Sequence, residues 1–187
     1  LREGTEQRVS DVAVVIPAFH AAATIAAQLD ALEKQEYAEG WRVVVVDNGS
    51  TDQTAVIVDT YAATFPVDLR VIRQPSNSGT GSARNLGVLS TEEPLILFCD
   101  SDDEVGPGWI AAMAEALRAA DGAGGRIELD SLNTPDMLAW AAPTRMWEDS
   151  WISDGEWGMP SPIGACCAVT REAWSAVGGF NEHMLEA

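Results

Sequence analysis

The chain has 187 residues, 47% of them hydrophobic and 21% charged, which suits one folded domain with a substantial core and excludes a disordered chain. Its 29 acidic residues against 11 basic ones leave a net charge of −18, which excludes non-specific binding to DNA, RNA or anionic lipid, since each requires a basic face. No apolar run approaches the ~20 residues that span a bilayer, so no transmembrane segment is expected.

Residues 1–10 are polar and read as a lead-in, and nothing in them resembles a signal peptide. The first residue is Leu rather than Met, so a piece of a longer protein is one of the readings left open. Residues 12–16 predict a buried strand that Pro17 stops, because proline cannot donate to a sheet ladder. A helix from about Thr24 places Ile25, Leu29 and Leu32 on one face. Residues 43–46 form the second strand and run into Asp47-Asn48-Gly49-Ser50, where Thr51 or Asp52 caps a helix bearing Val58, Ala62 and Phe65. A third strand over 67–72 and a polar loop over 74–80 lead to a helix at 82–89. The fourth strand, 94–99, is followed by a helix with Ile110, Met113, Ala114 and Leu117 on one side. Strand and helix thus alternate four times, the signature of a parallel sheet with helices on its faces.

The pattern weakens after Gly122. Residues 124–129 read as a strand, and 132–159 are rich in Trp and Pro without a clear period. A strand at 163–169 precedes a short helix at 171–177, which Gly178 and Gly179 end. There is no internal repeat. Cys99, Cys166 and Cys167 form neither a disulfide framework nor a zinc pattern, which points to a reducing compartment.

In open parallel sheets, ligands gather beyond the carboxyl ends of strands, where strand order reverses. Pro17-Ala18-Phe19 follows the first strand, Asp47 the second, and Asp100, Asp102, Asp103 and Glu104 the fourth. Four carboxylates within five residues repel one another unless a cation joins them, and their oxygens suit Mg²⁺, Mn²⁺ or Ca²⁺. Taken singly, residues 47–52 read as a turn with a helix cap, and 100–102 as a polar loop. Together with an Arg-bearing segment they point to a site. Two competing patterns fail. An EF-hand loop starting at Asp100 has Val105 and Ala111 where glycine and glutamate are required. The run Gly79-Thr80-Gly81 continues to Arg84 where a dinucleotide fingerprint needs its third glycine. His20 and His183 lie at no metal-ligand spacing and read as surface residues.

Five motifs in order, VVIPAF (14–19), VVVVDNGSTD (43–52), GSARNLG (81–87), LFCDSDD (97–103) and VGGFNE (177–182), resemble the family-2 glycosyltransferases of the GT-A fold. The likeness runs from about Val12 over nearly the whole chain. It implies an α/β fold, a Rossmann-like and mostly parallel sheet flanked by helices. It also implies one domain over 1–187, with a nucleotide-binding half at 11–120 and an acceptor-side half at 121–187 that is incomplete at its C-terminus. The implied reaction moves a sugar from a UDP, GDP or dTDP sugar to a sugar, lipid or protein acceptor, with inversion, in the cytoplasm or at the inner face of a membrane. A non-catalytic nucleotide-sugar-binding module is the alternative. A sugar nucleotidyltransferase is disfavoured because residues 17–24 hold no Lys or Arg for a triphosphate.

The resemblance also implies roles. Asp102 would hold Mn²⁺ or Mg²⁺, assisted by Asp100 and Asp103, with Asp100 directed toward ribose or metal. Asp47 would read the nucleobase, since a carboxylate accepts a hydrogen bond from a ring N–H. Pro17, Ala18 and Phe19 would line the base pocket, and Arg84 would meet base or phosphate or else form a helix-surface salt bridge. Trp140, Trp147, Trp151 and Trp157 would either stack on acceptor sugars or fill the core of a flap. Gly164, Ala165 and Cys166, with Gly178 and Gly179, would lie near the donor sugar and acceptor. Many inverting members carry a Glu-Asp pair soon after the GGF segment, and this chain reaches Ala187 without one. Glu182 and Glu186 are the acids nearest that place, so the catalytic base stays unassigned.

Overall fold

Seven consecutive buried residues, Val12–Ala18, form β1 at the centre of the sheet. The structure, a computed structural model, describes residues 10–129, 131–141 and 164–182, with the backbone alone at 139–141. Around β1 stand β2 (Trp41–Asp47), β3 (Asp68–Arg73), β4 (Leu95–Cys99), β5 (Gly122–Gly124) and β6 (Cys166–Thr170). The helices are α1 (Ile25–Glu33), α2 (Thr54–Ala62), α3 (Thr80–Leu89), α4 (Trp109–Leu117), α5 (Pro135–Ala141) and α6 (Arg171–Val177). The sheet order is β3-β2-β1-β4-β6-β5. The first four strands are parallel, β6 runs antiparallel to β4, and β5 runs antiparallel to β6.

The apolar run of β1 is uninterrupted because both faces are covered. Val12, Val14 and Ile16 pack with Ile25, Leu29 and Leu32 of α1, Val58 of α2 and Ile110 of α4. Ala13 and Val15 point to the opposite layer, with Val88 of α3, Ile96, Phe98 and Phe180. Each fully buried aliphatic side chain contributes about 1.5–3 kcal/mol, so the two layers fix β1 and the direction in which its end points.

Several boundaries differ from the sequence reading. Pro17 does not stop β1, because it pairs with Val46 of β2, whereas pairing with β4 ends at Val15. The Ala18 carbonyl accepts from Asn48 N on the β2 side. Alternation therefore aims the Pro17 nitrogen at the β4 side, where no ladder bond is lost. The strand expected at 124–129 lies instead at Gly122–Gly124, where three residues reach β6 before the chain turns away. Helix α3 begins at Thr80, two residues earlier than expected, and α5 occupies part of the unpatterned stretch.

Candidate active site

The chain runs from β1 outward through β2 to β3, then crosses to β4 on the other side of β1. The carboxyl ends of β1 and β4 therefore diverge at a switch point, and a cleft of about 370 Å³ opens there. Pro17, Ala18 and Phe19 form one wall and Asp100, Ser101 and Asp102 the other. Asn48 and Thr80 close the side toward β2 and α3.

Much of the 47–54 motif serves to shape this cleft. The N–H groups of three successive residues after β1 are received by its side chains. His20 N donates to Ser50 Oγ (2.9 Å), Ala21 N to Thr54 Oγ1 (2.9 Å) and Ala22 N to Asp52 Oδ2 (3.1 Å). Asp52 also accepts from Thr54 N at 3.0 Å, and its carboxyl is held below the usual range, chiefly by the Thr54 hydroxyl. Asn48, 4% exposed, ties down the loop before α3: its Nδ2 donates to Asn77 Oδ1 and Gly79 O, and its Oδ1 accepts from Ser78 N. Gly49 is required under that loop, because at φ +81 a Cβ would meet Ser76 and Asn77 backbone at 2.6–2.7 Å.

Asp47 is 5% exposed, and its Oδ1 accepts from Ser50 N at 3.0 Å. Asn48, its neighbour, lines the cleft and Asp47 does not. Arg84 does not face the cleft as a free cation. Its side chain is 4% exposed, its Nη2 donates to Asp100 Oδ1 at 2.8 Å, and its guanidinium lies 5.5 Å from the Phe180 ring centroid. It is an ion pair with its guanidinium buried and its carboxylate partly exposed, in place of the helix-surface bridge weighed from sequence. Gly164 lies against the same guanidinium, with a Cβ there meeting Nη1 at 2.6 Å.

The acidic loop divides its carboxylates. Asp100 is anchored twice, by Arg84 on its side chain and by Gln28 Nε2 on its carbonyl at 3.1 Å. Asp102 is exposed and borders the cleft. Asp103 faces a second cavity of about 420 Å³, shared with Cys99, Trp109, Arg126 and Cys166. Its carboxyl is pushed up to about 6, first by burial and then by Asp102 and Asp100. Glu104 borders the same cavity. Burial also pushes the Cys167 thiol up to about 12 and those of Cys99 and Cys166 upward, which removes them as nucleophiles at neutral pH.

Among the described residues, no three His, Cys, Asp or Glu side chains form a closed metal cage. A divalent ion completed by phosphate oxygens and water needs only one or two carboxylates. Asp102, with no protein partner among the described residues, and the Oδ2 of Asp100 meet that requirement, so the donor set fits a hard cation.

Glu182 is exposed and accepts from Asn85 Nδ2 at 2.9 Å. Asn85 also bonds both backbone groups of Phe180, so α3 carries the 179–182 turn beside the cleft. Glu186, Trp147, Trp151 and Trp157 lie outside the described residues, as does the side chain of Trp140.

Sequence reasoning missed His20, which lines the cleft, stacks on Phe19 at 4.1 Å and has φ +53. The signal was positional, since it directly follows Pro17-Ala18-Phe19. Gln28 and Gln35 were also missed. They are polar groups on the buried face of α1 and just beyond it, and an amide among Ile25, Leu29 and Leu32 is the trace they leave in sequence.

Similar folds are known. The chain is 36% identical over 126 residues to the succinoglycan biosynthesis protein ExoO of Rhizobium meliloti, covering 67% of this chain and 34% of ExoO. Residues 1–349 of Staphylococcus aureus TarS in complex with UDP superpose with a TM-score of 0.73 at 23% identity, covering 95% of this chain and 52% of that one. A mannosyltransferase of Pyrobaculum calidifontis in complex with GDP-Man and Mn²⁺ gives 0.71 at 22%, covering 92% and 48%. The chain spans less than half the length of the curated relatives it matches. Among the described residues no helix is long and apolar enough to cross a membrane. The mostly parallel six-stranded sheet flanked by helices is that of a GT-A fold, and the model of glycosyl transferase family 2 matches residues 13–175; the chain belongs to that family.

Proposed function

We propose that the chain binds a nucleoside-diphosphate sugar in the β1/β4 cleft and transfers its sugar, with inversion, to a sugar, lipid or protein acceptor. The observation that carries this is the meeting of Pro17-Ala18-Phe19 with Asp100 and Asp102 across one cleft of a size usual for small ligands. The relatives bound to UDP and to GDP-Man support a donor of that class.

In this reading the chain has a nucleotide-binding half at 11–120 and an acceptor-side half from 121. Phe19 and the backbone of Pro17 and Ala18 receive the base, with Asp47 accepting a ring N–H from its buried position. Asp102, assisted by Asp100 and Asp103, holds Mn²⁺ or Mg²⁺. A bound cation there supplies positive charge against the diphosphate as it leaves. Arg84 acts one step back, holding Asp100 Oδ1 and so fixing the direction of its carboxylate. The described residues offer no closed cage, so donor and ion bind together and each strengthens the other. Glu182 is held by Asn85, and we assign no base to it. The location proposed is cytoplasmic, peripheral to a membrane where the acceptor is a lipid; the three free thiols support reducing surroundings.

Calorimetric titration of UDP, GDP and dTDP sugars with and without Mn²⁺ tests the reading. Asp102→Ala is expected to abolish metal-dependent binding while leaving the unfolding temperature in place. Equal affinity in wild type and variant would remove Asp102 from the metal site.

A further inference from the structure

Gln28 is the most buried side-chain amide among the described residues, at 0% exposure. A buried carboxamide has both a donor and an acceptor to satisfy, and this one satisfies both on the acidic loop. Its Nε2 donates to the Asp100 carbonyl at 3.1 Å, and its Oε1 accepts from Val105 N at 3.0 Å. One side chain thus bridges the first residue of the acidic run and the residue that follows its last. The partners lie 72 and 77 residues away in sequence, so the bridge is tertiary and not a helix cap. Seven residues later Gln35 repeats the device. Its Nε2 donates to Gly106 O at 2.9 Å and its Oε1 accepts from Ile110 N at 3.3 Å, joining the loop to the first turn of α4.

We propose that Gln28 is a positioning residue for the cation and diphosphate. By fixing the span between Asp100 and Val105, it sets the conformation in which Asp102 presents its carboxylate to the cleft. Asp102 has no protein partner of its own among the described residues, so its direction is inherited from the backbone on either side. Loss of an outer partner of this kind typically weakens metal binding 10–100-fold. The proposal rests on the reading of residues 100–103 as the donor site, and its test separates the two.

The experiment uses the whole chain with UDP, GDP or dTDP, whichever wild type binds most tightly, and titrates Mn²⁺ at a saturating concentration of that nucleotide. Gln28→Met keeps the volume and removes both hydrogen bonds. Gln28→Glu keeps the acceptor for Val105 N, loses the donor to Asp100 O, and retains the glutamine shape should the Met variant fail to fold. Each is expected to raise the half-saturating Mn²⁺ concentration about tenfold. The parent nucleoside, measured without metal, should bind each variant as it binds wild type. The Glu variant is the sharper probe, because an added negative charge by itself attracts the cation and would lower that concentration. A folded Glu variant with an unchanged or lower half-saturating Mn²⁺ overturns the positioning role while the donor-site reading stands. Equal weakening of metal and nucleoside would likewise reduce Gln28 to a structural residue. Wild type that binds no nucleotide in a Mn²⁺-dependent way, with Asp102→Ala indistinguishable from it, overturns the donor-site reading and the proposal with it.

Discussion

Asp100 lies on a partly exposed loop and Arg84 inside a helix, yet removal of the loop residue is expected to cost the fold more. The Arg84 side chain is 4% exposed and that of Asp100 32%, and they meet at 2.8 Å. At an effective dielectric of ~20, two unit charges this close attract by roughly 6 kcal/mol, most of which offsets desolvation of the guanidinium. In Arg84→Met the stem still packs and the Asp100 carboxylate turns to water, so the loss is about 1–2 kcal/mol, including the contact with the Phe180 ring. In Asp100→Ala the guanidinium stays buried with an Nε that already lacks a partner among the described residues, and the loss is about 3 kcal/mol. Equilibrium urea unfolding of the two single variants and the double variant, without metal or nucleotide, measures the coupling, expected at about 1–2 kcal/mol. A coupling below about 0.5 kcal/mol, or an Arg84→Met loss exceeding that of Asp100→Ala, would refute the asymmetry.

Other outcomes follow from single contacts. Gly87→Ala places a Cβ 2.3 Å from Val15 Cγ1, between two buried elements, and is expected to cost about 2–3 kcal/mol. Thermal unfolding checks this, and partial recovery in the Gly87→Ala, Val15→Ala double variant identifies the clash as the cause. Asp103, with its carboxyl raised to about 6, favours the fold when protonated, an advantage present below its unfolded pKa near 3.8 and lost as pH rises through 6. Asp103→Asn in EDTA is therefore expected to raise stability at pH 8 by about 1 kcal/mol after allowance for solvent screening, with the gain vanishing toward pH 4. A gain independent of pH would show that the carboxylate charge is not its source. Asp47→Ala should weaken binding of the nucleoside more than of pyrophosphate; equal losses in the two titrations would contradict a base-reading role.

The parts of the architecture written as local patterns were legible. The apolar runs of β1, β2 and β4 and the helical spacing of Ile25, Leu29 and Leu32 needed no tertiary knowledge. What escaped depends on partners distant in sequence. Pro17 marks a strand end in most sheets and continues the strand here because its nitrogen faces an unpaired side. Arg84 suggested an anion-binding cation, but which anion it meets depended on how α3 packs beside β1 and β4. The amides of Gln28 and Gln35 look like interruptions of an apolar face until the segment 71–77 residues on closes over it. His20 carried no partner in sequence, and only the left-handed turn after Phe19 brings it to the cleft wall.

The acidic loop is governed from both faces of the sheet. Gln28 reaches it from the α1 layer and Arg84 from the α3 layer, and both act on Asp100, one on its carbonyl and one on its carboxylate. Asp100 is thereby the fixed point, and Asp102, two residues on, borders the cleft without a protein partner among the described residues. The next residue of α3, Asn85, grips Phe180 and Glu182. Adjacent side chains of one helix therefore hold the acidic loop and the 179–182 turn. A displacement of α3 cannot move one without the other, and Gly87, seated against Val15 with no room for a methyl group, keeps that helix at its distance from β1. The acidic loop and the 179–182 turn are thus tied to the same close contact.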